Sequence, residues 1–287
     1  MIFYEIYDII FIERIREEII MNFSKADNQY YAAYIESRVV AYINKEEYKL
    51  PSLLEGFNFS DAELAEMDAD AKAIAESVGG TQAHWAGREC STESCDLVVD
   101  GREIELKYVS CGTGTYLNSS LSYFSDKLGF VPFTTYTHKT ICPFLEKYFG
   151  EKVYSNFSPV SQKESSDFQH CQPELYEQLK TIDKAMRKQY VSDLYDFLTK
   201  NPQKLNTFIT DVITKSISGK EAPEELIVFN HETKAILKYS KLDIERKIKN
   251  KTIKNAGLSL VFDEFRVAIG WQNGTGLNNP TLRVFIK

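Results

Sequence analysis

Apolar residues in the first 80 positions recur at helical spacing. Residues 5–23 and 27–46 each predict a helix, and we expect the two to form an accessory or dimer-packing layer. The best-defined helix covers residues 60–78, because its apolar residues fall at successive offsets of three or four. The stripe that they form consists of Leu64, Met67, Ala71, Ile74 and Val78.

This third helix also has recognisable ends. Ser60 and Glu63 match a capping box, in which each residue's side chain hydrogen-bonds the backbone amide of the other. Gly79 and Gly80 are a typical stop signal at the other end. The pattern therefore predicts a buried core helix.

After this helix the pattern changes from helical to alternating. Two β-prone runs, DLVV and REIELKYV, are joined by Asp100–Gly101, a dipeptide typical of type I′ turns because both central residues need positive φ. A two-residue turn here pairs Val99 with Arg102, and further out it sets Asp96 opposite Glu105.

Side-chain alternation separates this hairpin into two faces. The charged face is expected to carry Asp96, Val98, Glu103, Glu105 and Lys107. The apolar face is expected to carry Leu97, Val99, Ile104 and Leu106. One face should therefore pack in the core while the other holds the charges.

The rest of the chain mixes helical and strand patterns. Residues 173–216 predict helices with Leu175, Leu179, Ile182 and Met186 on one face. ELIVFN, LSLVF, FRVAIGW and TLRVFIK predict strands. The order favours an α/β (α+β) fold with a central mixed β-sheet flanked by helices, plus helical additions.

Composition excludes several classes of protein. With 43% apolar and 26% charged residues in 287, the chain can bury a full core. No run of about 18 uncharged apolar residues and no signal-peptide pattern occurs, so we expect a cytoplasmic protein. Five cysteines without a CxxC pair and four scattered histidines predict neither a zinc site nor a disulfide framework.

Charge is unevenly distributed along the chain. The net charge is -7, yet residues 234–254 carry eight Lys or Arg against Asp243 and Glu245, a local charge of +6. This segment fits a phosphate-binding face, and it fits a solvated basic helix equally well.

The charged face of the hairpin suggests metal chemistry. Directly opposed carboxylates repel unless a positive charge lies between them. Carboxylates without His or Cys nearby are typical of Mg2+ sites, so Asp96 and Glu105 are candidate Mg2+ ligands. Lys107 is placed to orient or deprotonate an attacking water, as phosphodiester hydrolysis requires. The alternative is a solvent-facing hairpin with a Glu105–Lys107 surface pair.

These residues carry a resemblance to a known family. SCDLVVDGREIELKYVS, with Asp96, Glu105 and Lys107 as the motif, resembles the PD-(D/E)XK nucleases, although Cys95 stands where the family's name has proline. The continuation GTGTYLNSSLSYF and the tail WQNGTGLNNP resemble segments of type II restriction endonucleases.

The resemblance implies a fold, an activity and partners. It implies a core of one helix, a three-stranded antiparallel meander, a second helix and a further strand. It also implies Mg2+-dependent, sequence-specific hydrolysis of double-stranded DNA by Asp96, Glu105 and Lys107, leaving 5′-phosphate and 3′-hydroxyl ends. A homodimer and a DNA methyltransferase acting on the same site are further implications, and Glu63 is the candidate for the auxiliary acid that the first helix often adds.

The expected organisation is a single nuclease domain over residues 1–287. Its parts are an N-terminal helical layer (1–56), a catalytic core (57–150), a helical insertion (151–222), and C-terminal strands with the basic segment (223–287).

Several polar residues are candidates for DNA contact. They are Tyr116, Asn118, Lys247, Lys249, Arg266 and Asn273. Tyr116 fits the core as well, and Asn273–Gly274 is by itself a turn signal. Two rival functions remain open: a repair or junction-resolving nuclease of the same fold, and a DNA-binding protein without catalysis.

Overall fold

The structure is a computed structural model, and it describes residues 25–55, 57–89, 95–109, 114–149, 171–215, 220–271 and 280–286. The predicted helix 5–23 and the candidate Asn273 lie outside these ranges.

The described chain contains both helices and strands. The helices are α1 (Lys25–Asn44), α2 (Asp61–Val78), α3 (Ala86–Glu89), α4 (Leu121–Leu128), α5 (Phe133–Phe149), α6 (Pro173–Lys200), α7 (Pro202–Thr214) and α8 (Lys241–Arg246). The strands are β1 (Ala83–His84), β2 (Leu97–Val99), β3 (Arg102–Val109), β4 (Leu117–Ser120), β5 (Glu225–Asn230), β6 (Ala235–Ser240), β7 (Ile253–Asn255), β8 (Ser259–Phe262), β9 (Phe265–Trp271) and β10 (Pro280–Ile286).

The strands form two five-stranded sheets. The first has the order β1-β2-β3-β5-β6 and is mixed, because β3 and β5 are parallel while its other pairs are antiparallel. The second has the order β4-β10-β9-β8-β7 and is antiparallel throughout. The prediction of a mixed α/β fold is confirmed. The prediction of a single central sheet is wrong, because the described strands form two sheets.

Two hydrophobic clusters cover opposite faces of strand β5. Leu226 and Val228 belong to a larger cluster that includes residues of α4–α7 and the second sheet. Ile227 and Phe229 belong to a smaller cluster with α1, α2 and the hairpin. A strand that is buried on both faces is typical of parallel pairing, and β5 pairs in parallel with β3.

Helix α2 matches the sequence prediction closely. Ser60 caps it, the capping box with Glu63 is formed, and Gly79 follows its last residue with φ 68°. Four residues of the predicted stripe are buried in the smaller cluster and Leu64 packs against them. Both the capping box and the core stripe are confirmed.

Helix α1 belongs to the core instead of an accessory layer. Ile35 and Val39 have no exposed surface and lie in the same cluster as the buried stripe of α2. The helix also contacts β1 and β3. Its apolar side is therefore used inside the domain and not for an outer layer.

The hairpin has the predicted turn and register. Asp100 and Gly101 have φ values of 49° and 84°, as a type I′ turn requires, and a residue with a side chain rarely adopts the value at Gly101. Val99 pairs with Arg102 and Leu97 pairs with Ile104. The predicted turn is confirmed.

The basic segment 234–254 is not a helix. It forms strand β6, the six-residue helix α8 and strand β7. Strand β6 pairs with β5 in an antiparallel hairpin, and these backbone hydrogen bonds favour a strand where the charges alone fitted a solvated helix.

The helices that the structure describes were also compared with the requirements of a membrane span. None of them combines enough length with enough apolar character to cross a bilayer.

Candidate active site

The structure brings Asp96, Glu105 and Lys107 together on one face of the hairpin. The Lys107 Nζ atom lies 3.6 Å from Asp96 Oδ2 and pairs directly with Glu105 Oε1. The side chains of Asp96, Glu105 and Lys107 are 23%, 13% and 22% exposed, so the group is neither a surface pair nor sealed from solvent. A small molecule or ion can therefore reach it.

A β-bulge aims the Asp96 side chain. The Asp96 amide donates to the carbonyl of Ile104, which is already the partner of Leu97, so two residues of one strand face a single residue of the other. Bulges of this kind redirect a side chain, and Asp96 Oδ2 accepts from the Leu106 amide at 2.9 Å. The predicted direct pairing of Asp96 with Glu105 is therefore wrong, although both acids do reach Lys107.

Glu36 of α1 is a third acid at this site, and the sequence reading missed it. Its Oε2 accepts from Trp85 Nε1 at 2.7 Å. Burial and then the charge of Asp96 raise the pKa of Glu36 well above its usual range, while the Trp85 hydrogen bond and the Lys107 charge lower it. An acid in the apolar stretch YYAAYIESRVV was the available signal, but its partners lie about 50 residues or more along the chain.

The carboxylates outnumber the nearby ammonium group. Burial and the neighbouring charge of Asp96 raise the pKa of Glu105 to about 7, against the opposing effect of Lys107. Burial acts to lower the pKa of Lys107, but the carboxylates of Asp96 and Glu105 outweigh it and raise that pKa above its usual range. Lys107 is therefore an ammonium ion at neutral pH, and among the described side chains the three acids share its positive charge.

The chain that follows β3 closes one side of the site. Gly114 has φ +65°, and a Cβ atom there would lie 3.0 Å from Val109 Cγ1 and 3.7 Å from Lys107 Cγ. Tyr116 is fully buried, and burial first and the charge of Glu105 second raise its pKa. The side of the site next to β4 is thus formed by packed backbone and an aromatic ring.

Glu63, the acid predicted to assist from the first helix, serves as a cap. It accepts from the Ser60 amide and hydroxyl and from the Tyr31 hydroxyl. The Ser60 hydrogen bond and then that of Tyr31 lower its pKa. Its oxygens are therefore engaged at the start of α2, and the assignment of Glu63 as an auxiliary acid stays a prediction.

The candidate DNA contacts lie in different environments. Tyr116 belongs to the core, so the prediction of a DNA contact there is wrong. Asn118 is exposed on β4, opposite Arg283 of β10. Arg266 is exposed on β9, with its guanidinium 4.0 Å from the centre of the Phe285 ring.

The basic segment is largely neutralised by its own neighbours. Five of its eight basic side chains pair with carboxylates of described residues: Lys234 with Glu66 and Asp70, Lys241 with Glu221, Arg246 with Asp243, and Lys247 and Lys249 with Glu264. The local excess of positive charge is therefore smaller than the sequence count indicates.

The donor chemistry at this site fits Mg2+. Carboxylate oxygens are hard ligands, and Mg2+ binds through one or two of them while it keeps several waters. Within the described ranges, no group of three or more His, Cys, Asp and Glu side chains is gathered to hold a metal ion by itself. Asp96 and Glu105 thus fit a hydrated Mg2+ ion better than an ion enclosed by protein. Burial first and the charge of Asp96 second raise the Glu105 pKa, and such an ion would offset the second of these causes.

Comparisons of the chain with protein-family models, with curated proteins and with solved structures return no match.

Proposed function

We propose that this chain is a Mg2+-dependent endodeoxyribonuclease of the PD-(D/E)XK type that acts as a type II restriction endonuclease on double-stranded DNA. The observation that carries the proposal is the convergence of Asp96 and Glu105 on the Lys107 ammonium at a partly exposed hairpin face. The two carboxylates can bind a magnesium ion, and the lysine beside them can stabilise negative charge that develops on a phosphodiester during hydrolysis.

The order of elements supports the proposal. Helix α2 is followed by the antiparallel strands β1, β2 and β3, with the four-residue helix α3 between β1 and β2. Strand β4 of the second sheet and helices α4–α7 come next, and then β5 alongside β3. The family's core is a helix, a three-stranded meander, a further helix and a further strand. The three acidic and basic residues lie at the start of this meander's hairpin and on its last strand, the positions that the family's motif would give them.

Each residue has a defined role in this proposal. Asp96 and Glu105 would hold Mg2+, which when bound supplies positive charge to the phosphoryl oxygens and a more acidic water. Lys107 stays protonated because the acids raise its pKa, so it orients water and stabilises negative charge instead of acting as a base. Glu36 adds a third carboxylate from α1.

The proposed partners follow from the substrate. A symmetric duplex site presents two equivalent strands, and a homodimer places one active site on each. A DNA methyltransferase that modifies the same site would protect the host's own DNA.

DNA cleavage tests the function directly. Plasmid and genomic DNA are incubated with the purified chain and Mg2+, and we expect discrete bands. Lys107→Ala should cut at least about 100-fold more slowly, because it removes a positive charge from the reacting phosphate. The matched control is Lys180→Ala, which removes a lysine from an exposed pair with Glu177 and should leave cutting unchanged.

Other outcomes would redirect or contradict the proposal. Cleavage confined to branched or damaged DNA would assign a repair or junction-resolving role. Absence of cleavage on every DNA, or equal cleavage by Lys107→Ala, would contradict a nuclease and leave a DNA-binding protein without catalysis.

A further inference from the structure

Trp85 lies on a short segment, residues 85–87, that contacts both Glu36 and Asp96. It follows β1 and directly precedes α3, and its side chain is only 8% exposed. Its indole Nε1 donates to Glu36 Oε2 at 2.7 Å. Glu36 is on α1, 49 residues earlier in the chain, so this hydrogen bond joins α1 to the segment before β2.

The same segment contacts Asp96 through Gly87, two residues after Trp85. The Gly87 amide donates to the Asp96 carbonyl at 3.1 Å. A Cβ atom on Gly87 would lie 3.7 Å from Asp96 Oδ1, at ordinary contact distance. Residues 85–87 therefore touch Glu36 at one end and Asp96 at the other.

An indole N–H is well suited to position an acid without neutralising it. It is a donor only, and it carries no charge, so a carboxylate that accepts from it keeps its full attraction for a cation. A lysine or arginine in the same place would compete with that cation. The hydrogen bond is made to one oxygen of Glu36, Oε2.

We propose that Trp85 is a positioning residue for cation binding: through its Nε1 hydrogen bond it fixes the Glu36 carboxylate relative to Asp96, which Gly87 fixes from the same segment. The inference rests on the proposed function in that it takes the acids to be a Mg2+ centre. It adds that an uncharged donor, the Trp85 indole N–H, positions the Glu36 carboxylate without being a ligand itself. Groups that orient ligands in this way typically contribute 10–100-fold to metal affinity.

Titration calorimetry with Mg2+, in the absence of DNA, tests the inference. Trp85→Phe keeps an apolar ring but removes the donor, and we expect Mg2+ to bind about 10–100-fold more weakly. Cleavage should show a raised KM for Mg2+ with little change in kcat at saturating Mg2+. The matched control is Tyr42→Phe, which removes a donor to Asp68 from the same helix and should leave Mg2+ binding unchanged.

A double-mutant cycle separates positioning from a general loss of structure. If Trp85 acts through Glu36, Trp85→Phe should have no further effect on Mg2+ affinity in a Glu36→Gln background. An equal loss in both backgrounds, Mg2+ affinity unchanged in Trp85→Phe, or no Mg2+ binding by the unmodified chain would overturn the inference. The first two outcomes leave DNA cleavage intact, whereas a chain that binds Mg2+ with this coupling and cuts no DNA would contradict only the proposed function.

Discussion

Two buried charged groups in this molecule are built on opposite principles. Asp183 of α6 has no exposed side-chain surface, and Arg187 answers it with two nitrogens at 2.8 and 2.6 Å. Arg187 also donates to the Ile269 carbonyl at 3.0 Å. The acid thus faces a guanidinium that answers its charge and also satisfies a carbonyl of the second sheet.

The hairpin group has no such balance. Among the described side chains, Asp96, Glu105 and Glu36 share the ammonium of Lys107, and burial and Asp96 raise the pKa of Glu105 to about 7. A balanced pair needs nothing from outside the chain to remain charged. A group with more acids than bases among its described side chains does. Because of this difference we propose a cation at the hairpin group and a structural role alone for Asp183 and Arg187.

The largest expected effect is at the balanced pair. Arg187→Met removes both guanidinium contacts from the buried Asp183 carboxylate, so the free energy of unfolding should fall by roughly 3–5 kcal/mol. Urea denaturation measures this loss. The double variant Asp183→Leu with Arg187→Met should recover most of it, because two apolar side chains leave no uncompensated charge. A loss below about 1 kcal/mol for the single variant, the value of a surface pair, would contradict a structural role.

A smaller effect is expected from pH at the hairpin group without Mg2+. The pKa of Glu105 is about 7 in the folded chain and 4.5 ordinarily, so the folded state binds this proton more tightly. The stabilisation is complete below about pH 4.5 and is lost as pH rises to about 7. At about 1.4 kcal/mol per pKa unit the loss is about 3 kcal/mol.

Denaturation at a series of pH values measures this slope. Glu105→Gln should remove it, and saturating Mg2+ should flatten it in the unmodified chain because the ion answers the repulsion. An unchanged slope in Glu105→Gln would show that Glu105 is not the group responsible.

The smallest expected effect distinguishes Glu63 from Glu36. Glu63→Ala removes one half of the capping box, so the free energy of unfolding should fall by about 1 kcal/mol. Mg2+ affinity and DNA cleavage should be unchanged, since the Glu63 oxygens bond Ser60 and Tyr31. Loss of Mg2+ binding in this variant, with Glu36→Gln unaffected, would assign the auxiliary acid to Glu63 and not to Glu36.

Local features of this fold follow from the sequence. The Asp100–Gly101 dipeptide determines the turn, the turn determines the register, and the register places Glu105 and Lys107 on one face. The ends of α2 follow from Ser60 and the glycines after Val78 in the same way. Such signals act over a few residues, which is why they can be read from a single chain.

Features that depend on contacts between distant parts of the chain do not follow from the sequence in this way. The bulge at Asp96 arises from its bonds to Ile104 and Leu106, and no spacing rule marks it. Glu36 joins the site only because α1 packs against the hairpin's sheet and meets Trp85. The sequence predicted one sheet where the structure has two. Strand β4 of the second sheet has the polar sequence LNSS, which shows no strand pattern, and it is a strand because it pairs with β10.

The central claim is that Asp96 and its neighbouring acids share a divalent cation. Calorimetric titration of the chain with Mg2+ at pH 8, where Glu105 is ionised, tests it most directly. The account predicts a saturable binding heat that Asp96→Ala abolishes while the folded spectrum of the chain is kept. A binding heat that is the same with and without the Asp96 carboxylate would contradict it.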